Sequence, residues 1–227
     1  PDWEEHFSAV VEKDDLRIDK FLQERVRIEV MRIPARQPRT PPALLDLTAY
    51  CNGSLMGWME SNSEDLSELP GGQTRLGGVP FDVRGVLQLK SHQYDSLQYP
   101  GAISNIAVGL RCQSLVFLQG TSHGEVNGTE IGRYVIHFEG GQTNVFPIVY
   151  GQQVLDLHTD PARMGIQPAW TGAAKGSSRK PAHLYLARWS NPHPELRVDH
   201  LDFVSSLALS SPFLVAVSVV ERELPGN

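Results

Sequence analysis

The chain holds two cysteines in 227 residues, Cys51 and Cys112, with no Cys-x-x-Cys spacing. That excludes a disulfide scaffold and thiolate-rich metal or redox sites. A single bridge between the two stays open beside a pair of free thiols. No stretch approaches the ~18 apolar residues of a membrane span; the most apolar run, residues 213–220, has the length of a strand. Basic charge is in deficit: 20 Lys and Arg against 26 Asp and Glu leave a formal charge of -6, with a pI near 5.7. A nucleic-acid groove, which shows as a basic patch and a high pI, is therefore not expected. P-loop and dinucleotide-binding glycine motifs are missing as well, and the opening residues lack the basic-then-apolar order of a signal peptide. The chain starts at Pro1, which predicts a processed or excised piece with any anchor lying upstream.

What is present suits a packed domain. Apolar residues make up 41% of the chain, and 20 glycines and 16 prolines punctuate it, so a core is affordable in size and wholesale disorder is excluded. The first 42 residues stand apart. Residues 14–24 are charged with Leu16, Phe21 and Leu22 at loosely helical spacing behind Asp14 or Asp15 as an N-cap. Val26, Ile28 and Val30 then alternate with polar or charged neighbours, as in a strand, and Pro34, Pro38, Pro41 and Pro42 follow. Such a proline run continues neither a helix nor a central strand, so residues 1–42 read as a charged appendage and linker, and 43–227 as the main domain.

That domain reads as all-β. Short apolar runs at 44–50, 79–89, 103–110, 115–118, 134–138, 145–150, 154–158, 184–189, 196–204 and 213–220 are separated by turn-forming residues. The pattern predicts a two-sheet antiparallel β-sandwich or jelly roll. Leu184 and Leu186 fall on one strand face, His183, Tyr185 and Trp189 on the other. Glu139-Gly140-Gly141-Gln142 sits where a hairpin turn would, with the glycines supplying positive φ. Asn52-Gly53-Ser54 and Asn127-Gly128-Thr129 match the N-glycosylation pattern, which matters only in a glycosylating, secreting cell.

Candidate chemistry is sparse. Gly120-Thr121-Ser122-His123-Gly124 fits the nucleophile-elbow pattern, but that motif needs a helix after its strand, and the following residues show no helical period. A hydrolase using Ser122 is thus the remote reading and a glycine-rich loop the plain one. Asp156, His158 and Asp160 would line one face of a strand, where they can bind a divalent metal such as calcium or simply form a solvated edge. The paired acids Asp14-Asp15 and Glu64-Asp65 give no sign of the cleft geometry that glycoside hydrolysis requires. Trp58, Trp170 and Trp189 have polar neighbours, including Asn191, in the manner of sugar-stacking platforms; for Trp189 core packing is the stronger alternative. Arg84 shares a strand face with Asp82, so it reads first as half of an ion pair and second as a ligand contact.

Several segments together carry a resemblance: Leu44-Leu45-Asp46-Leu47-Thr48-Ala49-Tyr50-Cys51-Asn52, Gly77-Gly78-Val79-Pro80-Phe81-Asp82-Val83-Arg84-Gly85, Gly128-Thr129-Glu130-Ile131-Gly132-Arg133-Tyr134-Val135-Ile136-His137-Phe138, Pro147-Ile148-Val149-Tyr150-Gly151, Trp170-Thr171-Gly172 and Trp189-Ser190-Asn191-Pro192-His193-Pro194. Over about four-fifths of the chain their order resembles a C-terminal sandwich module of large planctomycete and verrucomicrobial proteins, similar in turn to the galactose-binding-like jelly rolls of many carbohydrate-binding modules. The resemblance implies a fold more firmly than a ligand, and no catalytic residue comes with it. It leads to the expectation of a non-catalytic, extracytoplasmic binding module for carbohydrate or another polar cell-surface ligand. Trp170, Trp189, Asn191, Arg84 and Trp58 are its candidate contacts, and no cofactor is expected unless calcium binds at Asp156, His158 and Asp160. A structural or protein-interaction domain of a bacterial sensor or regulator is the alternative. Partners are a glycan or a protein, with no nucleic acid and no membrane insertion by this chain.

Overall fold

A computed structural model describes residues 33–55, 66–93, 99–172 and 180–221. Trp58, the paired acids and the helix- and strand-like patterns before residue 33 lie outside the described residues. The architecture is all-β with antiparallel sheets, as the turn-punctuated apolar runs predicted.

Among the described residues eleven strands run in chain order: β1 Gly72–Leu76, β2 Val79–Val83, β3 Leu87–Gln88, β4 Ala102–Arg111, β5 Ser114–Ser122, β6 Glu130–Phe138, β7 Thr143–Val149, β8 Trp170–Thr171, β9 His183–Ser190, β10 Arg197–Ser205 and β11 Ser211–Val220. They form a four-stranded sheet (β4-β10-β6-β7), a five-stranded sheet (β3-β11-β5-β9-β8) and the hairpin β1-β2. Two apolar clusters show how these stack. The larger joins Ile106, Tyr134, Ile136, Leu201 and Phe203 of the four-stranded sheet to Leu115, Phe117, Tyr185 and Leu214 of the five-stranded one. Phe117 stacks on Tyr134 with ring centroids 3.8 Å apart, at the centre of that contact. The smaller cluster lies on the other face of the five-stranded sheet, where Val116, Leu118, Leu184, Phe213 and Val215 meet Leu76, Val79, Phe81 and Val83 of the hairpin.

The five-stranded sheet is thus covered on both faces. Every position of β5 and β11 is buried, so neither strand shows the in-and-out alternation of a half-exposed one. Gly120 sits in β5 because its partner Phe213 lays its ring over it: a Cβ there would fall 2.3 Å from the ring. Sheet edges are blunted. β3 and β8 have two residues each, and the edge strand β7 carries Pro147.

The expected hairpin at 139–142 joins β6 to β7, with Gly140 at φ 96° and Gly141 at φ 89°. Two expected strands are not formed. Residues 44–50 touch β11 through Leu44 and then turn, as the Asp46 carboxylate accepts from the Thr48 N–H. Residues 154–158 make only isolated bridges at Val154 and Asp156. The sequence pattern gave no warning of β1, which is largely polar, or of the two-residue β8. Residues 33–42 form no strand, yet they are tied to the domain: Arg84 donates to Ala35 O at 2.7 Å, and Arg36 donates to Leu44 O at 2.7 Å.

Candidate functional site

A cleft of about 610 Å³ opens at the β8-β9 edge of the five-stranded sheet. Its walls come from residues 156–161, from Pro168 and Thr171, and from Lys180, Pro181 and His183. The first wall is held there by burial and backbone bonding together. Leu155 enters the larger core and Leu157 the smaller one, so the segment straddles the sheet end. Leu157 N–H donates to Thr121 O, and His183 N–H donates to Leu157 O, both at 2.8 Å. Asp156 is left between the two anchors, facing the opening.

Within the cleft, local geometry has already claimed part of each acid. Asp156 Oδ1 accepts from the His158 N–H at 3.1 Å, and Asp160 Oδ1 accepts from the Ala162 N–H, capping a single turn of 3-10 helix at Pro161–Arg163. These are turn-forming roles typical of Asp. His158 Nδ1 lies 3.2 Å from Pro181 O. A carbonyl only accepts, so Nδ1 carries the proton and Nε2 keeps the lone pair. That Nε2 is buried and has no hydrogen-bond partner among the described residues. The Tyr185 hydroxyl is in the same condition; burial, and then the charge of Asp156, pushes its pKa up, so it stays protonated. His183 sits on a Thr171 hydroxyl, with Nδ1 3.0 Å from Oγ1. Burial holds its pKa below the ordinary histidine value; the Asp160 charge opposes that and the neighbouring His158 adds to it.

The structure brings Asp156, His158 and Asp160 around one cleft, but not as the ligand face of a strand. The segment is a turn, and the three do not converge to within 4.8 Å as a ligand set. Two of the three place a carboxylate oxygen on a backbone N–H.

The expected stacking and polar contacts are not gathered here. Trp189 is 4% exposed, packs in the larger core and donates from Nε1 to Asn144 Oδ1 at 2.9 Å, so neither ring face is open to a sugar. Asn191 is buried; its Nδ2 donates to Cys112 O and its Oδ1 accepts from the His193 N–H, which fixes a loop rather than a ligand. Arg84 is a buried ion-pair partner, Nη2 standing 2.8 Å from Asp82 Oδ1. Trp170 alternates with Thr171 along β8, so when Thr171 faces the cleft the indole turns to the smaller core. There it folds over Gly172, where a Cβ would fall 2.3 Å from the ring.

Ser122 ends β5 fully buried, opposite Ser211, and turns rather than a helix follow it. No exposed nucleophile stands there. Both cysteines are free thiols. The Asn52 side chain is engaged at both ends by the backbone of Gln88, which is not the posture of a glycan acceptor.

No protein-family model, no curated protein and no solved structure matches the chain. The cleft therefore has to be read from its own chemistry. His183 and Lys180 are the residues that sequence reading missed in it. Each lies more than 20 residues from Asp156, and the His183 N–H bond to Leu157 O draws that segment beside it.

Proposed function

We propose that the chain is a non-catalytic binding module whose cleft takes a small polyhydroxylated ligand, a saccharide above all. The observation that carries this reading is the cleft's mixture of groups. Pro161, Pro168 and Pro181 supply flat apolar wall, while Asp156, His158, Lys180 and His183 supply acceptors and donors around it. Its volume lies within the ~300–1,000 Å³ usual for small-ligand sites. His158 Nε2 is a buried acceptor with its lone pair unsatisfied, a position a ligand hydroxyl fills. The resemblance to galactose-binding-like jelly rolls points the same way, as does the extracytoplasmic setting that it implies.

The test is a glycan-array screen of the chain and a His158→Ala variant, with calcium present and then chelated. Selective binding that drops at least tenfold in the variant supports the proposal. Binding that survives the substitution places the ligand elsewhere. Silence across the array favours the second reading, a protein-interaction domain. That reading rests on Val126, Leu207 and Leu209, which are exposed on two loops held together where Glu125 accepts from the Leu209 N–H.

A further inference from the structure

The outward face of the four-stranded sheet carries a second constellation, remote in sequence from the cleft residues. His137 on β6 stands directly opposite His200 on β10, and Asp202 lies two residues further along β10 on the same face. The two imidazoles stack with centroids 4.2 Å apart and planes 11° from parallel. His137 Nε2 is 3.0 Å from Asp202 Oδ2. One ligand-capable atom from each of the three residues lies within 4.8 Å of the others. The side chains are 25%, 27% and 21% exposed for His137, His200 and Asp202, so the group is open to solvent on one side.

Two features show that this group is held in position. His200 Nδ1 lies 2.9 Å from Asp199 Oδ2. A carboxylate only accepts, so Nδ1 is the protonated nitrogen and Nε2 keeps its lone pair. A carboxylate behind the far nitrogen is the usual support of a metal-bound histidine. The second feature is in the backbone. The β4-β10 register passes from Leu201↔Ile106 to Phe203↔Ile103, so Ser104 and Asn105 together oppose Asp202. This β-bulge puts Asn105 at φ 60°, which is uncommon outside glycine, and turns its N–H onto Asp202 Oδ1 at 2.9 Å. Tyr50 pins the bulge from the sheet edge, donating to Asn105 O at 2.7 Å and accepting from the Ala107 N–H. With Oδ1 engaged, Oδ2 is the oxygen left toward the imidazoles.

We propose that His137, His200 and Asp202 bind a divalent transition-metal ion of the zinc, copper or nickel class. Two imidazoles and one carboxylate form a donor set suited to those ions, whereas calcium and magnesium favour all-oxygen sites. Ligand atoms on a tetrahedral zinc with bonds of ~2.0–2.1 Å stand roughly 3.3 Å apart, against separations within 4.8 Å here, so the stacked imidazoles turn toward a common point as the ion binds. On binding, the metal replaces the proton that His137 Nε2 shares with Asp202; that proton moves to Nδ1 or to solvent. Three protein ligands leave a position open for water or a ligand atom.

The test uses the full chain with metal-free buffers and titrates zinc by calorimetry, with cobalt absorption as a second readout of geometry. One ion per chain is expected, together with visible cobalt bands. His200→Ala and Asp202→Asn should each weaken binding at least tenfold, and Asp199→Asn should weaken it about tenfold, at the lower end for a supporting carboxylate. His92→Ala, which removes an exposed histidine away from the group, should leave it unchanged. Each variant's thermal unfolding is followed with and without zinc. If His200→Ala does not fold, His137→Gln and Asp202→Asn, which preserve size, decide the matter. Retained affinity in folded variants, or no stoichiometric binding by the parent chain, would overturn the proposal.

Discussion

The two large sheets face different surroundings, and that difference sorts their residues. The five-stranded sheet is packed on one side by the four-stranded sheet and on the other by the β1-β2 hairpin, so β5 and β11 bury every residue. Among the described residues, the four-stranded sheet packs one face into the larger core and carries exposed and half-buried side chains on the other. β10 accordingly buries Val198, Leu201 and Phe203 while Asp199, His200 and Asp202 look outward, the alternation being shifted by one residue at the bulge between Val198 and His200. A strand covered on both faces has no position to spare for chemistry. An open face can hold polar groups at little cost, and the bulges of β4 show where its regular pleat has been given up to aim one of them.

The largest effect expected from this contrast lies where the two sheets meet. Phe117→Ala removes a fully buried ring from the stack on Tyr134 and should cost ~3–5 kcal/mol in denaturant unfolding. A loss under 1 kcal/mol would mean the sheets are not packed as described. Next comes the buried charge on the hairpin side. Asp82→Ala leaves Arg84 without its carboxylate, a change expected to cost ~3–5 kcal/mol and to loosen residues 33–42, readable as faster hydrogen exchange there. If both quantities stay at their parent values, the ion pair contributes nothing to either.

Intermediate effects test the sheet end and the thiols. His183 has its folded-state pKa held below the ordinary value, so the unfolded chain takes up a proton that the folded one refuses. Its contribution is intact above about pH 6.5 and is lost as pH falls below that ordinary value. Stability curves of the parent and of His183→Gln should therefore converge on acidification, and parallel curves would show that the imidazole is not protected. Burial pushes the Cys51 thiol up to about 12 and the Cys112 thiol to about 11. Alkylation at pH 8 should be slow in the native protein and complete in denaturant; equal rates would contradict their placement. The smallest effect belongs to the open face. Val145 on β7 is 54% exposed, and Val145→Thr should change stability by no more than ~0.5 kcal/mol.

Sequence patterning made the strands legible where burial is periodic or continuous, as in β4 to β7 and β9 to β11, because alternation and apolar runs are local consequences of which faces are covered. It also located the 139–142 hairpin through its two glycines and gave Asp82 and Arg84 as an ion pair. For its candidate sugar contacts, polar neighbours in sequence did not say where the side chains pack. Trp189 and Asn191 have polar neighbours in sequence, but their side chains are engaged by Phe138 and Asn144 and by Cys112, which lie far along the chain, while Trp170 folds over Gly172 two residues on.

What the sequence determined by itself is the all-β class, most strand positions and the placing of Asp156, His158 and Asp160 near one another, since each follows from residues a few positions apart. Only the tertiary structure decided that the central sheet is covered twice, that His183 and Lys180 complete the cleft, and that His137 meets His200 and Asp202. Those depend on strand pairing and register, and His137 is 63 residues from its partner across the sheet. A one-residue slip would turn His137 to the core face and dissolve the group.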